Sequence, residues 1–211
     1  MSRRFLNIVV IAAAWLGSPQ PSCAQGTVVF NEPATPIPLF TTGFAQYYSF
    51  DLDGDSATDF TFTYSFQFLG VQPEGTGRIL TWLDPPPNVG GSVAPLPLGF
   101  VIGAGSETGN LAWYGHALDY NTLAICFDVG CAGAFVGQHA YMGVEFQHAG
   151  ATHYGWVLLN VAQAYPSGVI ESWAWDTRPS ASIFAGAVPE PSTWTLFGIG
   201  ALAIALLRRR C

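Results

Sequence analysis

The sequence predicts an all-β domain, read as a single β-sandwich or jelly roll. Three observations carry this. Short aromatic and β-branched runs alternate with polar residues at period two. Turn formers are abundant, with 24 glycines and 15 prolines placed between those runs. No helical period is present until the last two dozen residues. Half of the residues are hydrophobic and 14% are aromatic, enough to build a core and unlike a disordered composition.

The chain opens with a charged n-region, Arg3 and Arg4, followed by the apolar run Phe5–Leu16 and the small residues Ser22-Cys23-Ala24. These are the parts of a secretory signal peptide, residues 1–24, with cleavage after Ala24. A lipoprotein cysteine at Cys23 fits less well, because Gln20-Pro21-Ser22 lacks the aliphatic residue such a site needs.

Residues 25–187 form the domain. Thr27–Asn31 reads as a first strand, followed by a Pro-interrupted connection from Pro33 to Pro38. Gln46–Leu52 and Asp59–Leu69 alternate; in the second, Phe60, Phe62, Tyr64, Phe66 and Phe68 share one face and Thr61, Thr63, Ser65 and Gln67 the other. That is the pattern of a half-buried strand with a polar outer face. Arg78–Leu83 is a further strand, and Asp84–Gly91, with three consecutive prolines, is a loop. Pro95–Gly109 is Gly-rich and fits no single element. Phe135–Gln147 and His153–Gln163 read as strands joined by the five-residue loop His148–Thr152. Gly168–Asp176 and a short Ala181–Ala185 complete the series.

Four carboxylates, Asp51, Asp53, Asp55 and Asp59, stand in the nine residues between two of these strands, with Gly54 among them. Alternate Asp residues in a tight turn supply the oxygens that a calcium ion takes. Four like charges this close repel without a counter-ion. The same residues also suit a solvated acidic turn. The spacing is not that of an EF-hand: Phe62 stands twelfth, where a bidentate Glu would be, and Gly is fourth.

Charge sharpens the point. The chain has no lysine, and between residues 25 and 188 only Arg78 and Arg178 oppose thirteen acids, a formal charge of −11. Such a surface repels nucleic acid, anionic lipid and acidic polysaccharide and attracts cations. Of the four cysteines, Cys23 leaves with the signal peptide and Cys211 belongs to the tail, leaving Cys126 and Cys131. In an exported chain the pair is expected as a disulfide closing a small loop; a metal pair fits less well, with no second Cys/His pair at zinc spacing.

Other candidates are weaker. His148 and His153 flank one turn with Glu145 nearby, as a two-His-plus-carboxylate metal site or as plain turn-flanking polar residues. Trp173 and Trp175 are two apart and share a strand face; with Trp82, Trp113 and Tyr114 they are candidates for stacking on sugar rings, or for core packing. Serine-hydrolase, zinc-protease and phosphate-loop signatures are absent, so no catalytic residue is assigned.

The tail, residues 188–211, has three parts: Val188-Pro189-Glu190-Pro191-Ser192-Thr193, an apolar run Trp194–Leu207, and Arg208-Arg209-Arg210. The run is short against the ~20 residues of a comfortable span. Its uniform apolarity, the Pro-Glu-Pro break before it and the arginines after it favour a transmembrane helix over a buried one.

This tripartite tail resembles the PEP-CTERM sorting signal of bacterial surface proteins, in which Pro189, Glu190, Pro191 and Arg208–Arg210 are the matching positions. The stretch from Tyr141 to His148 followed by His153-Tyr154-Gly155-Trp156-Val157 is similar to a segment common in such proteins. The Asp51–Asp59 turn resembles the D-x-D-G-D-G-x-x-D calcium loops of FG-GAP and thrombospondin type 3 repeats, with Ser56 in place of the second Gly; if that position needs positive φ, Ser is strained there. The resemblance implies passage through the inner membrane, an exosortase as sorting partner, and a surface β-domain in bacteria that make exopolysaccharide. The expectation is an exported, non-enzymatic cell-surface or extracellular-matrix protein with a structural calcium. Its rivals are a carbohydrate-binding module acting on exopolysaccharide and a secreted polysaccharide hydrolase.

Overall fold

Alternation along the strands is realised in a computed structural model, which describes residues 28–41, 43–83, 91–115 and 121–189. The signal peptide, Glu190, Pro191, the apolar run 194–207 and the three terminal arginines lie outside the described residues. Within them the chain is all β. Its strands are β1 (Val28–Asn31), β2 (Ile37–Leu39), β3 (Gln46–Phe50), β4 (Phe60–Tyr64), β5 (Phe68–Pro73), β6 (Arg78–Leu83), β7 (Gly91–Val93), β8 (Val101–Ile102), β9 (Leu111–Tyr114), β10 (Asn121–Phe127), β11 (Gly130–Ala132), β12 (His139–His148), β13 (Ala151–Val161), β14 (Gly168–Asp176) and β15 (Ile183–Phe184).

Thirteen strands join in one sheet, ordered β1-β14-β13-β12-β6-β7-β10-β5-β4-β3, with β2, β9 and β11 paired at its sides. Two antiparallel meanders, β3-β4-β5 and β12-β13-β14, stand toward opposite ends of that order. They nevertheless share one core: Phe50, Phe60, Phe62 and Val71 are buried in the same cluster as Val144, Phe146, Val157 and Trp175. Strands so distant in a sheet share a core only if the sheet curls over on itself. The two layers expected of a sandwich are therefore continuous through β6, β7 and β10, in place of two separate sheets. The outer face of β6, β12 and β13 is covered by a second cluster that includes Leu80, Leu96, Ile102, Trp113, Trp156 and Ile183, drawn partly from the segment 94–111 and the small β8–β15 pair.

Two sequence expectations change for local reasons. Asp59–Leu69 is two strands, because the Ser65 hydroxyl accepts the amides of Gln67 and Phe68 (3.3 and 3.1 Å) and the Ser65 amide donates to the Phe68 carbonyl at 2.7 Å. That side-chain turn leaves Phe66 60% exposed. The loop between β12 and β13 is two residues, not five: His148 pairs with Ala151, and Ala149 and Gly150 both have positive φ, 50° and 77°. This is the backbone of a type I′ hairpin, whose twist matches that of its strands. The tight turn keeps His148 in register to the end of β12.

Glycine is required at 155, between Tyr154 and Trp156. A Cβ there would stand 2.7 Å from the Ala174 carbonyl oxygen and 3.2 Å from Trp175 Cβ. Its absence lets β13 and β14 close up beside the Trp175 ring. β7, β8, β9, β10 and β11 had no strand assignment from the sequence, β2 falls where a Pro-interrupted connection was expected, and of β5 only Phe68 and Leu69 were read as strand.

Ala149 occupies a conformation that L-residues other than Asn and Asp resist. Ala149→Asn should stabilise the fold by about 0.5–1 kcal/mol, read as a higher urea midpoint at unchanged m-value.

Candidate functional site

Asp51–Asp59 bridges β3 and β4 and is built from turns in which carboxylates hold backbone amides. Asp51 accepts from Gly54 N–H (2.7 Å) and Ser56 N–H (2.8 Å) through its two oxygens. Asp53 Oδ1 accepts from Asp55 N–H at 3.0 Å, and Asp55 Oδ1 from Ala57 N–H at 2.7 Å. Asp59 Oδ2 closes the loop on Leu52 N–H at 2.8 Å. Gly54 has φ +82° and Ser56 φ +75°, so Ser56 does stand where a glycine is the easier residue.

The loop folds inward. One oxygen each from Asp51, Asp53 and Asp59 lie within 4.8 Å of one another. Asp55 is exposed and belongs to a second triad, described below. Burial first, and then the neighbouring charges of Asp53, Asp51 and Asp55, push the Asp59 carboxyl up to about 6 against the Leu52 amide, which acts to lower it.

The loop is docked on the far meander. Trp173 Nε1 donates to the Leu52 carbonyl at 3.1 Å, and its ring meets Phe50 edge-on at 5.0 Å. His148 Nδ1 stands 2.6 Å from Asp53 Oδ2, with the Asp53 side chain fully buried and that of His148 35% exposed. The imidazole rests against Trp175 at 4.9 Å between ring centroids, and beside His153 at 5.7 Å. One oxygen each of Asp53 and Asp55 and one nitrogen of His148 also lie within 4.8 Å of one another. Sequence reasoning did not join His148 to the Asp loop, since 95 residues separate it from Asp53.

The His148–His153–Glu145 grouping does not assemble. Glu145 is buried on the other face of β12, where Arg78 binds it through Nε and Nη2 at 2.7 Å each. His153 turns its Nδ1 to the Asp176 carbonyl oxygen at 2.8 Å. Odd and even positions of one strand face opposite ways, so residues 145 and 148 diverge. Of the two alternatives for the tryptophans, Trp173 and Trp175 take core packing. Trp175 is 5% exposed, and Trp173 is half-buried, with its ring engaged by Phe50 and Leu52. Their shared face is the inner one. Trp113 is buried with its Nε1 on the Gly103 carbonyl at 3.1 Å, while Trp82 is 41% exposed. Cys126 and Cys131 form a disulfide across the β10–β11 hairpin, where they are register partners with Cα atoms 3.9 Å apart.

The tail takes over where the packing ends. Ala185 is buried and exchanges backbone hydrogen bonds with Gly99 and Phe100, whereas Val188 and Pro189 are exposed.

Residues 187–210 match the family model described as the PEP-CTERM protein-sorting motif. The motif marks the chain as exported and targeted by an exosortase to the cell envelope or surface. No curated protein and no solved structure matches the chain.

The raised Asp59 carboxyl has a pH signature. Its folded value, about 6, lies above the roughly 3.9 of an unfolded aspartate. Between those values the folded state holds the extra proton, so stability falls as pH rises from about 4 to about 6. In metal-free buffer, wild type should lose more stability over that interval than Asp59→Asn, as read from urea midpoints at the two pH values.

Proposed function

We propose, from the premise that the chain is a PEP-CTERM protein handled by an exosortase, that its delivered part is a non-catalytic component of the bacterial envelope or extracellular matrix. The carrying observation is the sorting motif at residues 187–210, which begins at Ala187, the last residue packed on the domain. The same reading makes the apolar run 194–207 a temporary inner-membrane anchor. Co-expression with an active exosortase should shorten the chain at its C-terminus and move it outward. A catalytically inactive exosortase should leave the full-length form in the inner membrane. Retention of the complete tail with the active enzyme would count against the reading.

The Asp51–Asp59 loop is proposed as a structural calcium site, with Asp51, Asp53 and Asp59 as the converging ligands and Asp55 shaping the turn or adding an oxygen. Support comes from the charge balance. Both arginines of the domain are committed to other buried carboxylates, Arg78 to Glu145 and Arg178 to Asp176. A hard cation supplies the charge the loop lacks, and it would pin β3–β4 to β14 through Leu52 and Trp173. Calcium at 100 times its dissociation constant should raise stability by about 2.7 kcal/mol. Asp51→Asn should abolish most of that gain in a thermal melt.

Polysaccharide binding is a second reading, favoured by one surface feature. Exposed Phe40 and Tyr165 line an open groove with Asn160 and Ser167, a combination of apolar faces and polar edges that suits a neutral sugar. Affinity electrophoresis in neutral glycans, compared with Tyr165→Ala, separates this reading from a purely structural role.

A further inference from the structure

We propose that Asp53, Asp55 and His148 form a binding site for a zinc-class divalent ion, distinct in ligand chemistry from the all-oxygen calcium triad. The proposal goes beyond the calcium reading: its triad shares Asp53 with the converging calcium ligands, and it replaces Asp51 and Asp59 by Asp55 and His148. Its basis is a meeting of two distant elements: a loop that offers carboxylates and the end of β12, which offers an imidazole.

The donors suit the ion. Calcium selects oxygen ligands, whereas imidazole with carboxylate is a zinc-type set. The ligand atoms of the three side chains lie within 4.8 Å of one another. A tetrahedral ion at about 2.0–2.1 Å from each ligand separates them by roughly 3.3 Å. The His148 Nδ1 to Asp53 Oδ2 distance of 2.6 Å therefore opens by less than an ångström to admit it. The proton shared by that pair leaves as the ion enters.

The surroundings hold the ligands in place. Trp175 lies against the imidazole, and the tight Ala149–Gly150 turn fixes the strand that carries it. Asp53 is held from behind by the Asp55 amide, leaving Oδ2 on the side of His148. Partial exposure of His148 and the exposure of Asp55 give an ion and a coordinating water access from solvent. An ordinary His148–Asp53 ion pair makes no use of Asp55, which is where the two descriptions part.

The test uses the full chain in detergent with free thiols blocked. Zinc binding is followed by calorimetry and cobalt(II) by its visible absorption. The expected result is one bound ion per chain with a nitrogen–oxygen cobalt spectrum. His148→Gln and Asp55→Asn should each weaken zinc binding at least tenfold. Asp55→Asn keeps an oxygen for the Ala57 amide and leaves the packing against Trp175 untouched, and an unchanged melting temperature in metal-free buffer separates its loss of binding from misfolding. Asp59→Asn should weaken calcium and spare zinc. Zinc affinity unchanged in either His148→Gln or Asp55→Asn overturns the proposal and leaves an ion pair. Zinc binding without calcium binding supports it and removes the calcium reading; calcium binding without zinc does the reverse.

Discussion

The fold depends on one seam. A sheet of this length buries its apolar face only by curling, and the curl must be held where its two meanders meet. That contact is made by Phe50 against Trp173, by the Trp173 indole on the Leu52 carbonyl and by His148 on Asp53. All three lie at or beside the acidic loop. The aromatic core behind them supplies the driving force, since burial of apolar area is the dominant favourable term. The polar contacts set how the two layers align. An acidic turn that would otherwise be a surface connection is thus part of the closure.

Charge explains why the seam is unusual. With two arginines in the domain, each positive group has a committed partner: Arg78 holds buried Glu145, and Arg178 holds Asp176 through two hydrogen bonds from its guanidinium. Burial alone would raise the Asp176 carboxyl, but Arg178 keeps it below the ordinary value. Asp59 shows the opposite balance: lacking such a partner and crowded by three carboxylates, it is pushed up to about 6. The contrast follows from burial and neighbours: Arg178, through its guanidinium and its backbone amide, together with His153, favours the Asp176 carboxylate, whereas at Asp59 burial prevails and three other acids face it.

Much of the architecture was legible, and the misses have physical causes. Alternation located the hydrophobic faces of β3 and β4, because period two survives wherever one face is buried, and the stretches that hold β12, β13 and β14 were read as strands. It also put Trp173 and Trp175 on one side. It could not tell the inner face from the outer, since both faces of β13 and β14 are covered. Short strands such as β7 and β11 carry too few residues for a period. The Ala149–Gly150 turn was hidden because alanine is a poor marker of positive φ. The Asp loop stood out by composition, yet its principal neighbour, His148, comes from the far end of a hairpin that only the curl of the sheet brings close.

Delivery and folding are divided along the chain at one point. Ala185 is buried and hydrogen-bonded into the 99–100 segment, Gly186 lies under Leu98 and Tyr141, and the sorting motif begins at residue 187. Val188 and Pro189 are both exposed, so Pro189 lies outside the packed domain. A processing enzyme that reads the motif has no strand to pull out of the sheet before it reaches Pro189. Conversely, the seam on which the fold depends is far away in sequence, in residues 50–59 and 148–175, so cleavage of the tail removes none of its contacts. The domain can therefore be sorted while folded, with its acidic clasp already closed.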